Sequence, residues 1–592
     1  MSSENTKNNE EELLQKISTL EAEIQKIKKQ KRYGLVWEEK IEKFEKESKN
    51  ALPILRGKGG DFSDIVTDNK KDFNILIEGD NYHSLSVLAY THKNKVDVIY
   101  IDPPYNTGNK DFVYNDHFVD KEDRYRHSKW LSFMAKRLKL AKSLLKKDGI
   151  VFISIGEDEI AQLKLLSNEI FGEQNFITNF IWEKTQHFGR QKVNSYSNAD
   201  YILCYAKQLN SSGLKELLVE SIKEEHEDAP LYNASNPINT LTIPARKVIF
   251  NISDGEYIQT TDEKYVLMQK VIVKNGVNKN NLVLRFKSRW SQRNVEKELL
   301  KGTTFWIKSE NFAIRAIYGS GKTSNESPKQ IIFTNEKNEF VAKSRFGKKV
   351  GVNEEASNEL FHIIGEQNIF DYPKPRTLVA YLISLLFDYF KKVHKKDITV
   401  LDFFAGSGTT GQAVLDLNKK DDGNRKFILC TNNENNICEN ITYERIKRVS
   451  IGYKNAKGEK VEGLGGNLKY LKTDFVPLEK SADSLKQKIV EGSVEIICLK
   501  ENTFDLVSDT YKKNKIKIFQ NQKKYTAILF DLFYFDDFVE QLKTLKDKPV
   551  AIYVFSYTKD FSKEEFSDVG IDFTVEPIPE KILETYKKIF HF

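Results

Sequence analysis

Cysteine is scarce in this chain, with four among 592 residues: Cys204, Cys430, Cys438 and Cys498. They form no Cys-x-x-Cys pair and have no histidine at zinc-ligand spacing, which argues against a disulfide framework or a structural zinc. No apolar run approaches the ~20 residues needed to span a bilayer. Met1 to Glu10 is polar and acidic, so no secretory signal is expected. An excess of one charge is also lacking. The 92 Lys and Arg stand against 85 Asp and Glu, a net +7 that permits a polyanionic partner without demanding one. A solvated surface of mixed charge fits it equally well.

Apolar and aromatic residues are plentiful, at 40% hydrophobic and 12% aromatic, which excludes global disorder. At roughly 100–200 residues per domain, the length suits about three or four domains. Leu13, Ile17, Leu20, Ile24 and Ile27 repeat at 4-3-4-3 spacing, the seam of a short coiled coil or of a helix packed on its own domain. Residues 1–50 are therefore expected to be a helical segment.

From about residue 72, short buried strands alternate with helices. Phe73–Ile77 ends at Gly79-Asp80-Asn81, and Val96–Ile101 ends at Asp102-Pro103-Pro104-Tyr105. A helix is expected over Trp130–Lys147, then a strand over Ile150–Ile155 after Asp148-Gly149. This alternation predicts a parallel α/β sheet. It lapses over 186–365, a polar stretch with short β-like runs. It resumes with a helix over Leu378–Tyr389 and strands over Ile398–Phe403 and Lys426–Cys430. The expected fold class is thus an α/β domain in two parts, 51–185 and 366–475, around a recognition insertion. A small C-terminal α/β domain is expected over 476–592, beginning with a strand at Ser493–Ile497.

Phe404-Ala405-Gly406-Ser407-Gly408-Thr409-Thr410-Gly411 lies between a buried strand and a helix and fits Gly-x-Gly-x-x-Gly. Glycines admit close approach by a ligand, and a helix N-terminus faces it. A nicotinamide dinucleotide, a flavin or S-adenosylmethionine would each suit. The next strand ends at Asn432-Asn433-Glu434, where a carboxylate can hold ribose hydroxyls. Gly319-Ser320-Gly321-Lys322-Thr323 ends like a P-loop, but its required first glycine is Ala316. It reads as a loop of the insertion.

Asp102-Pro103-Pro104-Tyr105 is more specific. Two prolines fix φ and remove two N–H donors, leaving carbonyl acceptors beside a carboxylate and an aromatic ring. That combination, at a strand's carboxyl end, suits a planar ring bearing an exocyclic amino group.

With these two motifs the sequence resembles the amino-methylating DNA methyltransferases. The order, with Asp-Pro-Pro-Tyr before a long variable region and the glycine turn last, is similar to their β class. The run Ile99–Gly108 with Gly79-Asp80-Asn81 most resembles the modification subunits of Type III restriction-modification systems. The resemblance implies a Rossmann-like, S-adenosylmethionine-dependent methyltransferase domain and covers roughly 70–180 and 365–450. It assigns Phe404, Ala405, Gly406, Ser407 and Gly408 to the cofactor's methionine part and Asp80 to its adenine. Glu434 would hold the ribose, and Lys374, within Pro373-Lys374-Pro375, would lie beside the cofactor. Asp102, Pro103, Pro104 and Tyr105 form the implied catalytic set. Asp102 accepts from the target base and borders the cofactor, while Tyr105 stacks on the base. An Asp in first position is typical of N6-adenine enzymes.

The implied reaction needs no metal and no cysteine, and no Pro-Cys pair of the carbon-5 cytosine type occurs. Asp102 and the Pro103 carbonyl would hold the amino group of an adenine flipped out of duplex DNA. Specificity is expected from the insertion, where Arg285, Lys287, Arg289 and Arg293 surround Trp290 and can meet phosphates and base edges. A solitary methylase, a non-catalytic recognition subunit and an enzyme acting on RNA or protein amino groups are the alternatives. The expected partners are duplex DNA, a second copy of the chain and a restriction nuclease-helicase subunit, in a bacterial cytoplasm at the nucleoid.

Overall fold

The computed structural model describes residues 37–590 apart from 48–49, 60–62, 110, 115–116, 188–194, 210–217, 225–228, 320–322, 339–340, 344–348, 393–396, 479–481, 509–514 and 557–560. The heptad seam at Leu13–Ile27 and the centre of the P-loop-like run, Ser320–Lys322, lie outside the described residues. On either side of that run, Ile314–Ile317 and Thr323–Glu326 are both strands. A P-loop requires a helix after it, so that reading is excluded.

Among the described residues the central element is a ten-stranded sheet. Its strands are β1 (Ala51–Gly57), β2 (Phe73–Glu78), β3 (Val96–Ile101), β4 (Leu145–Ile155), β5 (Phe176–Glu183), β6 (Ala199–Ala206), β7 (Ile331–Ile332), β8 (Asp397–Asp402), β9 (Asn424–Thr431) and β10 (Asn467–Pro477). Their spatial order is β1-β10-β2-β9-β8-β3-β4-β6-β5-β7. The interior from β10 to β4 is parallel. β1 pairs antiparallel with β10, and β6 pairs antiparallel with both β4 and β5. The expected parallel sheet is therefore mixed at both flanks.

Side chains of the inner strands alternate between two apolar layers. Ile99, Ile101, Leu401 and Phe403 face one layer. Val98, Tyr100, Ile398 and Val400 face the other. The first layer is completed by α1 (Asn81–Thr91), α2 (Arg126–Leu144) and α3 (Ile160–Phe171). The second is completed by α4 (Asn353–Ile364), α5 (Arg376–Ser384), α6 (Thr409–Asp421) and α7 (Glu444–Ile451). Burial on both faces makes these strands read as continuous apolar runs.

Several boundaries differ from the sequence reading. β4 starts at Leu145, inside the expected helix, because a bulge lets Leu145 pair with Val96 while Ile150 pairs with Val98. The helix expected over Leu378–Tyr389 is two helices, Arg376–Ser384 and Phe387–Lys392. The insertion boundary at 186 is too early, because β6 continues the central sheet beside β4. Residues 331–364 likewise return to it as β7 and α4. The part with its own core runs over 229–317 and holds a seven-stranded and a three-stranded sheet.

In the C-terminal part the expected strand Ser493–Ile497 is instead a helix, α8 (Val494–Glu501). It lies between two cores: Ile496 and Leu499 join the central layer, Ile497 and Cys498 the C-terminal one. With its four consecutive residues Ile496–Leu499 buried between the two cores, it has no helical periodicity to read. The five-stranded C-terminal sheet is tied to the central domain. Tyr586 is buried in the central layer and its hydroxyl donates to the Pro53 carbonyl at 2.6 Å.

Candidate active site

Four neighbouring parallel strands, β2, β9, β8 and β3, end on one edge of the sheet. Open α/β sheets place ligands at the carboxyl ends of such strands. Leu401 of β8 pairs with Ile99 of β3. Carried three residues on, that register sets Phe404 level with Asp102. The two sequence motifs, some 300 residues apart in the chain, leave adjacent strands side by side.

A cavity of about 390 Å³ opens at this edge, lined by Asp80 after β2, Glu434 after β9, Phe404 after β8 and Pro104 after β3. The volume lies in the range of roughly 300–1,000 Å³ usual for small-molecule sites. Each of these residues was expected at the site from its motif. Phe112, Phe133 and Phe403 add apolar wall, and Glu42, Asn81 and Arg137 add polar groups. Gly406 has φ +47 and Gly408 φ +80, conformations that favour glycine. A Cβ on Gly406 would lie 2.9 Å from the Phe370 ring.

The turn is fastened from behind. Thr442 Oγ1 donates to the Gly406 carbonyl at 2.6 Å. The fully buried Arg445 guanidinium donates to Ser407 Oγ and Thr409 Oγ1, both at 2.9 Å. Asp402, at the end of β8, accepts from the Phe404 N–H at 3.0 Å and from the Thr410 hydroxyl at 2.5 Å. Burial pushes its carboxyl up to about 7.

Asp102 is partly buried. One carboxylate oxygen, Oδ2, accepts from Lys374 Nζ at 2.9 Å. The other, Oδ1, is buried with no hydrogen-bond partner. Burial raises the Asp102 carboxyl, and the Lys374 cation opposes that rise. Lys374 thus meets the proline turn; like Asp102, Ala405, Gly406, Ser407 and Gly408, it is not among the residues lining the cavity. The Pro104 carbonyl accepts from Trp130 Nε1 at 2.8 Å, which fixes the turn on α2. The Tyr105 hydroxyl donates to Asp200 Oδ2 at 3.1 Å, and Lys374 Nζ lies 4.8 Å from the centroid of its ring. Asn106 follows at φ +57, fully buried, and its amide donates to Glu159 Oε1 at 2.5 Å.

Arg285 and Lys287 lie on the exposed face of the strand Leu282–Lys287, and Arg289 continues their alternation. Arg293 is exposed on the helix Gln292–Leu300, and Trp290 packs against Phe305 and Tyr318. All four cysteines are buried. Burial raises the Cys204 thiol and pushes the Cys438 thiol up to about 12, far from a nucleophile's range.

A family model described as DNA methylase matches residues 96–460, which span both motifs and the insertion between them. The chain belongs to the DNA methylase family. Among its relatives, the StyLTI Mod subunit of a Type III restriction-modification enzyme from Salmonella typhimurium is 34% identical over 65% of this chain and 57% of its own length. The EcoPI Mod subunit of Escherichia phage P1 is 30% identical over 62% of this chain and 58% of its own. The Type II methyltransferase M.KpnI of Klebsiella pneumoniae is 30% identical over 65% of this chain and 89% of its own. The chain spans a little under three fifths of the length of the two Mod subunits. A solved structure of the cytosine-N4-specific PvuII DNA methyltransferase covers 65% of this chain and 90% of its own at 11% identity, with a TM-score of 0.30 that carries no argument.

Proposed function

We propose that this methylase transfers a methyl group from S-adenosylmethionine to N6 of adenine in duplex DNA, as the modification subunit of a Type III restriction-modification system. The observation that carries the reading is the meeting of Pro104 and Phe404 in one cavity, with a partnerless acceptor on Asp102 beside it. When bound, S-adenosylmethionine supplies an electrophilic methyl group on a sulfonium. Phe404 and the backbone of Gly406 and Gly408 would hold its methionine part, Glu434 its ribose and Asp80 its adenine.

The amino nitrogen of adenine is a poor nucleophile, because its lone pair is delocalised into the ring. Asp102 Oδ1 accepts one amino hydrogen and the Pro103 carbonyl the other, so the nitrogen can become pyramidal and aim its lone pair at the methyl group. This is positioning and electrostatics on a rigid frame. Lys374 occupies Oδ2 and thereby leaves Oδ1 to the base. Tyr105, anchored through its hydroxyl to Asp200, offers ring surface to the extruded adenine. The 229–317 insertion reads the DNA sequence, with Arg285, Lys287, Arg289 and Arg293 on phosphates or base edges. A homodimer and a restriction subunit as partners, in a bacterial cytoplasm, complete the proposal. The coverage of M.KpnI favours a second reading, a methylase that works without a nuclease; co-purification of a helicase-nuclease from the native cells separates the two.

The test is incubation of the purified protein with DNA and S-adenosylmethionine, then mass spectrometry of the released nucleosides. N6-methyl-2'-deoxyadenosine is the expected product. N4-methyl-2'-deoxycytidine would refute the choice of base, and no methylated nucleoside on DNA of any sequence would refute the reading.

A further inference from the structure

One wall of the cavity comes from outside both motifs. Glu42, Lys43 and Phe44, in the strap of residues 37–47, line it together with Asp80, Asn81 and Arg137. Arg137 lies on α2 within the stripe Trp130, Met134, Arg137, Ala141, Leu144, whose other members are apolar and buried. Its side chain is only 1% exposed. A buried guanidinium is costly unless its donors are satisfied, and this one reaches both sides of the cavity. Nε donates to Asn81 Oδ1 at 2.5 Å. Nη1 donates to the Glu42 carboxylate at 2.9 and 3.2 Å and to the Phe133 carbonyl at 3.0 Å. Nη2 donates to Asp80 Oδ2 at 3.4 Å.

Asp80 needs such a guide. Its Oδ1 accepts from the Tyr82 N–H at 2.7 Å, capping α1, while the side chain remains 44% exposed toward the cavity. The Arg137 contact on Oδ2 sets the remaining rotation of the carboxylate. The strap is fixed from the same helix: Lys40 N–H donates to Ser132 Oγ at 3.0 Å and Lys136 Nζ to Glu45 Oε2 at 2.7 Å. Phe44 stacks on Tyr82 with ring centroids 3.9 Å apart.

We propose that Arg137 is a positioning residue for the base of the cofactor, aiming Asp80 at its exocyclic amino group and holding Glu42 and the strap as the outer wall of the pocket. This rests on the reading that the cavity takes S-adenosylmethionine. A carboxylate aimed at an amino group prefers adenine to a base with a carbonyl in that place, because the carbonyl leaves the acceptor unpaired.

The experiment is calorimetric titration of the full chain with S-adenosylhomocysteine and with S-inosylhomocysteine, which carries a carbonyl in place of the amino group. The unaltered protein should prefer the adenosyl ligand by about ten-fold or more. Arg137→Gln and Glu42→Gln should each shrink that preference several-fold. Equal weakening of both ligands with the preference intact would assign Arg137 a purely structural role and overturn the proposal, as would equal affinity of the unaltered protein for the two. Should Arg137→Gln fail to fold, Glu42→Gln, which keeps the shape of its side chain, decides alone. If the unaltered protein binds neither ligand, the cofactor reading itself falls, an outcome distinct from a lost preference.

Discussion

Lys374 touches the proline turn and the glycine turn at once. Its ammonium lies 2.9 Å from Asp102 Oδ2 across 272 residues of chain, and its carbonyl accepts from Thr409 Oγ1 at 3.1 Å. The proline turn and the glycine turn are therefore held in one frame by a single residue that belongs to neither motif.

In the proposed mechanism that ion pair sets a pH dependence. Asp102 has to be ionised to accept from the amino group, so methyl transfer should be lost as pH falls through its folded-state value. Burial sets that value above the ordinary carboxylate range and Lys374 pulls it back. Lys374→Met should move the acid limb of the kcat/KM profile to higher pH. An unmoved limb would mean that Lys374 does not tune Asp102.

Asp102→Ala should abolish methyl transfer and leave S-adenosylhomocysteine affinity within about two-fold, since the cavity wall on that side is Pro104. Single-turnover assays with equilibrium titration check both halves. Retained transfer would remove Asp102 from the mechanism.

Gly406→Ala places a Cβ 2.9 Å from Phe370 at φ +47, combining a steric clash with a backbone cost of about 1 kcal/mol. Ligand affinity should fall about ten-fold or more, and Phe370→Ala in the same chain should restore part of it. The dissociation constants of the two variants report the split between clash and backbone strain.

Asp402 makes stability depend on pH in the sense opposite to an ordinary ion-paired carboxylate. Its folded value, about 7, lies above the unfolded one, so its contribution is lost as pH rises through that interval. Between pH 5.5 and 8.5 the loss is roughly 2 kcal/mol. Asp402→Asn should remove this share, so the difference in melting temperature between variant and parent should shift toward the variant at pH 8.5. A difference independent of pH would contradict the assignment.

Replacing Arg285, Lys287 and Arg289 with Gln should weaken DNA binding and flatten its salt dependence by about 0.9 in log–log slope for each phosphate no longer neutralised. The affinity for S-adenosylhomocysteine should stay unchanged. Binding isotherms across a salt series measure both quantities, and an unaltered slope would place the DNA elsewhere.

Much of the site was legible because its groups follow buried strands directly. Asp80, Asp102, Phe404 and Glu434 each end an apolar run, and strand ends are where α/β sheets hold ligands. The groups that hold them were harder to see. Asp200 meets Tyr105 from 95 residues away, on a strand the sequence reading assigned to the insertion. Arg137 did leave a trace, a charge inside an apolar helical stripe, but its partners Glu42 and Asp80 come from two other segments. Helix α8 was misread because packing between two cores erased its periodicity. The bulge in β4 has no sequence signature beyond Gly149.

The insertion leaves the central sheet after β6 and rejoins it at β7, and β5 pairs with both. Its exit and return thus lie within two strands of each other on one flank, away from β2, β9, β8 and β3. A graft exchanging the stretch between Ala206 and Ile331 for that of another family member would leave both motif-bearing strands, β3 and β8, untouched. On the proposed reading, target choice is carried by a segment spliced into one flank of the sheet, so new recognition can evolve without rebuilding the chemistry.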